Sequence, residues 1–187
     1  LRLSGWKPTS LIDVRDKAIL LTCYAGAYKR SELVEIQVDD LAEAPEGLAI
    51  RIVKPRKNGP FWKPVSFSKN RDVCPATAIK AWIAASGIDS GPLFRPIDRH
   101  GNIGSAALSP QSISVILKRM APHFGLDPED VASHSLRAGM VTDLLAAGAA
   151  KSDVIRLSGL SDGRMRQSYA DQANLFAVNY VELAGLK

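Results

Sequence analysis

The chain has 187 residues, 46% hydrophobic and 23% charged, with 24 Lys plus Arg against 19 Asp plus Glu and a formal net charge of +5. That length supports one domain with a substantial core, and the composition excludes a disordered or fibrous chain. Cys23 and Cys74 stand far apart with no second Cys or His at metal-ligand spacing, so no zinc site is expected and a reducing cytoplasm is the default setting. The apolar stretch from Ala18 to Ala27 is too short to span a bilayer. Leu stands first where a start Met would be, and an N-terminal portion is expected to be missing.

In chain order, Val14, Ala18, Leu21 and Ala25 recur at helical spacing, with Asp13 placed to cap and Gly26 to stop, and Ile19 and Leu20 widen the apolar face into that of a buried helix. Ser31 offers an N-cap to a short second helix through Glu32, Leu33 and Ile36, and Asp39, Asp40 and Pro45 to Gly47 signal turns. Leu48 to Val53 has strand composition, Asn58-Gly59-Pro60 reads as a turn, and Phe61 to Phe67 alternates, which predicts a short β-hairpin or small sheet with a basic connection. Helices are predicted from about Asp72 to Ala85, from Ser109-Pro110 to near Pro122, from His134-Ser135 to Gly148, over Lys151 to Leu157 and over Gly163 to Leu183. Pro92 to Gly104 reads as a loop. The fold class is therefore mainly α with a small antiparallel β-sheet, an α+β domain.

The chemistry concentrates at Ser133-His134-Ser135-Leu136-Arg137-Ala138-Gly139. Three positions apart on a helix, His134 and Arg137 project from one side, and the helix start adds partial positive charge, so an anion such as a phosphate suits the place. His-x-x-Arg followed by Gly, with Tyr169 standing 32 residues after Arg137 within Ser168-Tyr169-Ala170, resembles the C-terminal signature of the tyrosine recombinases of the phage-integrase type. Upstream, Arg15-Asp16-Lys17-Ala18-Ile19-Leu20-Leu21, Gly26 and Arg30-Ser31-Glu32-Leu33 resemble the family's first box, and Ile50-Arg51-Ile52-Val53-Lys54 resembles the strand that carries its catalytic Lys. The similarity covers nearly the whole chain.

The resemblance implies a catalytic domain over residues 1–187, preceded in the family by a core-binding domain absent here, that cuts and rejoins duplex DNA through a 3′-phosphotyrosyl intermediate. It also implies Tyr169 as nucleophile, Arg137 and His134 on the phosphate, Lys54 as the acid for the departing 5′ hydroxyl, no cofactor or metal, and a homo-oligomer, a tetramer, on DNA. The apolar segment Leu175 to Leu186 would dock on a neighbouring subunit. Arg30, Arg56, Lys57 and Lys63 are the expected DNA contacts, and Lys54, Lys57 and Lys63 all lie near enough to the hairpin to be considered for the catalytic amine.

Two positions depart from the family's pattern. Lys29 stands where the first Arg of the Arg-x-Ser-Glu-Leu box belongs, with Arg30 one residue off, and a Lys lacks the planar fork that grips two phosphate oxygens. Nine residues before Tyr169, Leu160 follows Gly159 where His or Trp is usual, and a Leu cannot hydrogen-bond a phosphate. These departures motivate the alternative expectation, a recombinase-derived DNA-binding or regulatory protein with weak or no cleavage.

Overall fold

The computed structural model describes residues 5–53, 60–159 and 179–185. The first helix, α1 (Leu11–Ala25), starts two residues before the predicted cap. Its cap is Ser10, whose Oγ accepts from the Asp13 N–H at 3.2 Å while the Asp13 carboxylate accepts from the Ser10 N–H at 3.1 Å. This reciprocal pair satisfies two of the helix's orphan donors. Ala18 to Leu21, Cys23, Tyr24 and Ala25 are all essentially inaccessible to solvent, so the second half of α1 is buried all round at the centre of the domain.

A second short helix, α2 (Arg30–Val34), follows a tight turn, with Lys29 rather than Ser31 at its N-cap. The sheet has three strands where sequence alone indicated two, namely β1 (Leu41–Ala44), β2 (Gly47–Ile52) and β3 (Phe61–Ser66), antiparallel in the order β1-β2-β3. The missed strand β1 is four residues long, and its Ala-Glu-Ala composition carries no alternating signal. Its tight turn into β2 uses Gly47 at φ 153°, where a Cβ would meet the Val65 carbonyl oxygen at 2.2 Å.

The remaining helices are α3 (Pro75–Ser86), α4 (Pro110–Met120), α5 (Ser133–Ala146), α6 (Lys151–Ser158) and α7 (Tyr180–Leu183). Cys74 caps α3, which starts at Pro75 rather than at about Asp72, and Gly87 ends it in the left-handed conformation at φ 67°. Residues 92–104 carry no regular element beyond two isolated bridges, Pro92 with Gln37 and Ile97 with Ile103. Against α1 pack α3, α5, α2 and α4. Trp82 of α3 is fully buried, with its indole N–H donating to the Leu93 carbonyl at 2.8 Å, which makes it a core anchor.

Charged groups stitch α1 to its neighbours. Buried Asp16 pairs with Arg15 at 2.7 Å and with Arg119 of α4, and Arg15 donates to the Arg95 carbonyl at 3.2 Å. The Tyr24 hydroxyl donates to the Asp143 carboxylate, which fastens α1 to α5. Within the same chain α7 sits against the end of β3, where Asn179 Nδ2 donates to the Phe67 carbonyl at 3.0 Å and Glu182 accepts from the Lys69 N–H at 3.3 Å. Among the described residues, no helix is long and apolar enough to cross a membrane.

Candidate active site

The site is organised by the turn between α1 and α2. Gly26 is required there by close approach, since a Cβ on it would lie 2.0 Å from the ring of Tyr28. Ala27 takes φ 46°, a left-handed conformation that an L residue holds only where its surroundings impose it. Two buried cations from different elements supply that imposition. Lys63 of β3 donates from Nζ to the Gly26 carbonyl at 2.8 Å, and Arg137 of α5 donates from Nη1 to the Ala27 carbonyl at 3.0 Å.

Arg137 is 5% exposed, with its guanidinium at the turn that presents Lys29 two residues on. Lys29 itself is exposed, and its backbone N–H donates to Glu32 Oε2 at 3.1 Å, closing the start of α2. His134, one helical turn before Arg137, is exposed at the beginning of α5. There Ser135 Oγ accepts from the Ala132 N–H at 3.0 Å. The structure therefore gathers Lys29 and Arg137 at one turn, with His134 on the same helix as Arg137. Arg30 is exposed and leans toward α4, its Nη1 lying 3.5 Å from Ser114 Oγ. Lys54, Arg56, Lys57, Leu160 and Tyr169 lie outside the described residues.

Lys63 corrects an expectation. Expected as a DNA contact, it is 1% exposed, with its amine 3.7 Å from Glu32 Oε2 and 4.3 Å from the centroid of the Tyr28 ring. The physical reason is the register of the hairpin. Lys63 stands opposite Ile50, and residues directly opposite in an antiparallel pair share a face. Leu48, Ile50 and Ile52 are all buried on that face, so Lys63 is directed inward with them.

Sequence reasoning assigned no role to Glu32 or Tyr28. Glu32 was visible within Arg30-Ser31-Glu32-Leu33, but its burial at 2% and its pairing with Lys63 depend on a strand that arrives 31 residues later. Tyr28 is fully buried, and its hydroxyl has no hydrogen-bond partner among the described residues. Burial, and then the nearby Glu32 and Cys23, push its phenol well above the ordinary range. Burial likewise raises the Tyr24 phenol, with Asp143 adding to the effect.

The Cys23 thiol is pushed up to about 12, first by burial and also by Glu32, while Lys63 and Arg137 pull it down. An acid whose pKa is raised on folding keeps its proton in the native state after the unfolded chain has lost it. Its contribution is therefore whole below the unfolded value and is lost as pH rises toward the folded one. For Cys23 the window opens near 9 and closes near 12. Denaturant unfolding between pH 8 and pH 11 is expected to show stability falling with pH, by about 1.4 kcal/mol per pH unit for each fully titrating group. Cys23→Ala should make the fall shallower, and a profile flat across this range would contradict the burial of these groups.

A helical domain with a small antiparallel sheet and a cation-held α1–α2 turn has the fold of an integrase catalytic domain. The integrase from mycobacterium phage Brujita superposes with a TM-score of 0.61 at 18% identity, over 96% of this chain and 59% of that one. The chain belongs to the phage integrase family, which it matches over residues 6–175. Among curated relatives, an integrase/recombinase xerD homolog of Selenomonas ruminantium is 31% identical over 172 residues, 90% of this chain and 50% of that protein. The tyrosine recombinase XerD of Corynebacterium glutamicum is 31% identical over 159 residues, 84% of this chain and 48% of that protein. The chain thus spans about half the length of the curated relatives it matches.

Proposed function

We propose that the chain is the catalytic part of a site-specific DNA recombinase that cuts one strand of a duplex with Tyr169 and rejoins it to another. The observation that carries this reading is the family match combined with Arg137 anchored at the turn that bears Lys29. A phosphodiester resists attack because its non-bridging oxygens are negative, so cations must stabilise the charge that grows in the transition state. Arg137 and Lys29 are assigned that work, with His134 holding the phosphate or taking the phenol's proton.

In the proposed step the Tyr169 oxygen attacks phosphorus, its proton leaves to a base, and the bond to the 5′ oxygen breaks. Lys54 gives a proton to that oxygen, and the 3′-phosphotyrosyl bond conserves the energy needed for rejoining. Arg30, Arg56 and Lys57 are assigned to the DNA backbone, where each phosphate contact adds salt dependence without sequence information. A homo-oligomer on duplex DNA is part of the same proposal.

Capture of a covalent protein–DNA adduct tests the reading, using a library of nicked duplexes of randomised sequence whose cleaved fragment diffuses away. An adduct resistant to denaturant is expected, and salt-sensitive binding with no adduct would favour a DNA-binding module instead. Lys29→Arg is expected to speed adduct formation by at least about tenfold, because it restores the planar two-toothed grip at the phosphate. An unchanged or slower rate in that variant would remove Lys29 from the phosphate.

A further inference from the structure

We propose that Lys63 is a positioning residue of this site, a buried clamp that fixes the α1–α2 turn against the sheet and thereby sets Lys29 and the anchor of Arg137. This inference rests on the recombinase reading above and extends it to a residue that touches no DNA.

Three partners of the amine among the described residues come from one segment. Nζ meets the Gly26 carbonyl at 2.8 Å, Glu32 Oε2 at 3.7 Å and the Tyr28 ring at 4.3 Å, so all three lie between residues 26 and 32. Burying an ammonium costs far more than burying a methionine of similar volume, and the seat is tolerable only because a carbonyl, a carboxylate and an aromatic face meet the charge. Glu32 passes the constraint on, since the oxygen facing Lys63 also accepts the backbone N–H of Lys29 at 3.1 Å.

The clamp acts where the chain is under strain. Consecutive carbonyls, Gly26 and Ala27, are each held by a buried cation, Lys63 from the sheet and Arg137 from α5, on either side of the left-handed Ala27. A turn in that conformation persists only when its surroundings over-determine it. Lys63 also lies two residues from Phe61, which pairs with Ile52 at the end of the hairpin, and residues 54–59, with Lys54 and Lys57, join those strands. One side chain thus ties the base of the hairpin to the turn that presents Lys29.

The test compares the purified chain with Lys63→Met and Glu32→Gln in three measurements. Amide hydrogen exchange is expected to quicken at least about tenfold at Tyr28, Lys29 and Leu33 in Lys63→Met, with the amides of α3 unchanged. Affinity for a duplex library should stay within about twofold and keep its salt slope, because no phosphate contact is lost. The rate of adduct formation should fall about 10- to 100-fold, the scale set by small misplacements of groups at a reacting centre.

Unchanged exchange at the turn would overturn the clamp. A salt slope reduced by about one would overturn it too, by putting Lys63 on the DNA. Loosened amides with an unaltered adduct rate would confine Lys63 to stability. Glu32→Gln keeps the acceptor for the Lys29 N–H but removes the charge, and it should quicken the same amides to a smaller degree. If it does not, the ion pair is no part of the clamp. Failure of the unsubstituted chain to form any adduct would defeat the recombinase reading, while the exchange measurement would still decide the clamp.

Discussion

Replacing Tyr169 with Phe is expected to abolish the covalent adduct with nicked DNA while leaving salt-dependent binding intact. The argument comes from the chemistry of the nucleophile. A phenol with an ordinary pKa of about 10 is a weak nucleophile at neutral pH, and only neighbouring cations make its oxyanion accessible as it attacks phosphorus. Phe keeps the ring and loses the one atom that forms the bond. Loss of a nucleophile in other covalent enzymes lowers turnover by on the order of 10⁶, which places residual adduct below detection. The readout is denaturing electrophoresis of labelled DNA. An adduct that survives the substitution would move the nucleophile elsewhere, and Tyr24, Tyr28 and Tyr180 are buried in the structure.

The second large effect concerns Arg137. Arg137→Lys is expected to lower adduct formation by roughly 10³ to 10⁵, the range seen when an arginine is lost from phosphoryl-transfer sites. Lys keeps the charge but cannot offer parallel donors, and at a buried position it also has to reach the Ala27 carbonyl now held at 3.0 Å. Arg137→Ala leaves that carbonyl without its described donor as well. A further cost of about 1–3 kcal/mol in unfolding free energy is expected for it. Single-turnover rates and chemical denaturation measure the two effects separately. A Lys variant with nearly full activity would show that the turn, rather than a phosphate, is the only business of this guanidinium.

The helices were legible from sequence where a local signal existed. Ser109-Pro110 marks the start of α4, and Gly87 ends α3 in the left-handed conformation. Starts moved where the cap was not visible as such: Ser10 rather than Asp13 caps α1, and α3 begins after Cys74 rather than at about Asp72. Strand β1 escaped because four residues of mixed polarity carry no periodicity, and only pairing with β2 makes them a strand.

For the site, the spacing of His134 and Arg137 was readable because both stand on one helix. The placement of Lys63 was not, since whether a strand residue faces core or solvent depends on register, and a shift of one residue reverses it. A lone Lys within Phe61-Trp62-Lys63-Pro64-Val65 looks like a surface charge until Ile50 is found opposite. The left-handed Ala27 was equally hidden, because nothing in Gly26-Ala27-Tyr28 favours that conformation at the alanine; it is held there by cations that arrive 36 and 110 residues later.

Digestion of the covalent adduct followed by mass spectrometry of the peptide that retains nucleotide tests the central claim most directly. A nucleotide on the peptide containing Ser168-Tyr169-Ala170, fragmenting to a phosphotyrosyl linkage through the 3′ end of the DNA, is the predicted result. Attachment to any other side chain, or a 5′ linkage, would contradict it.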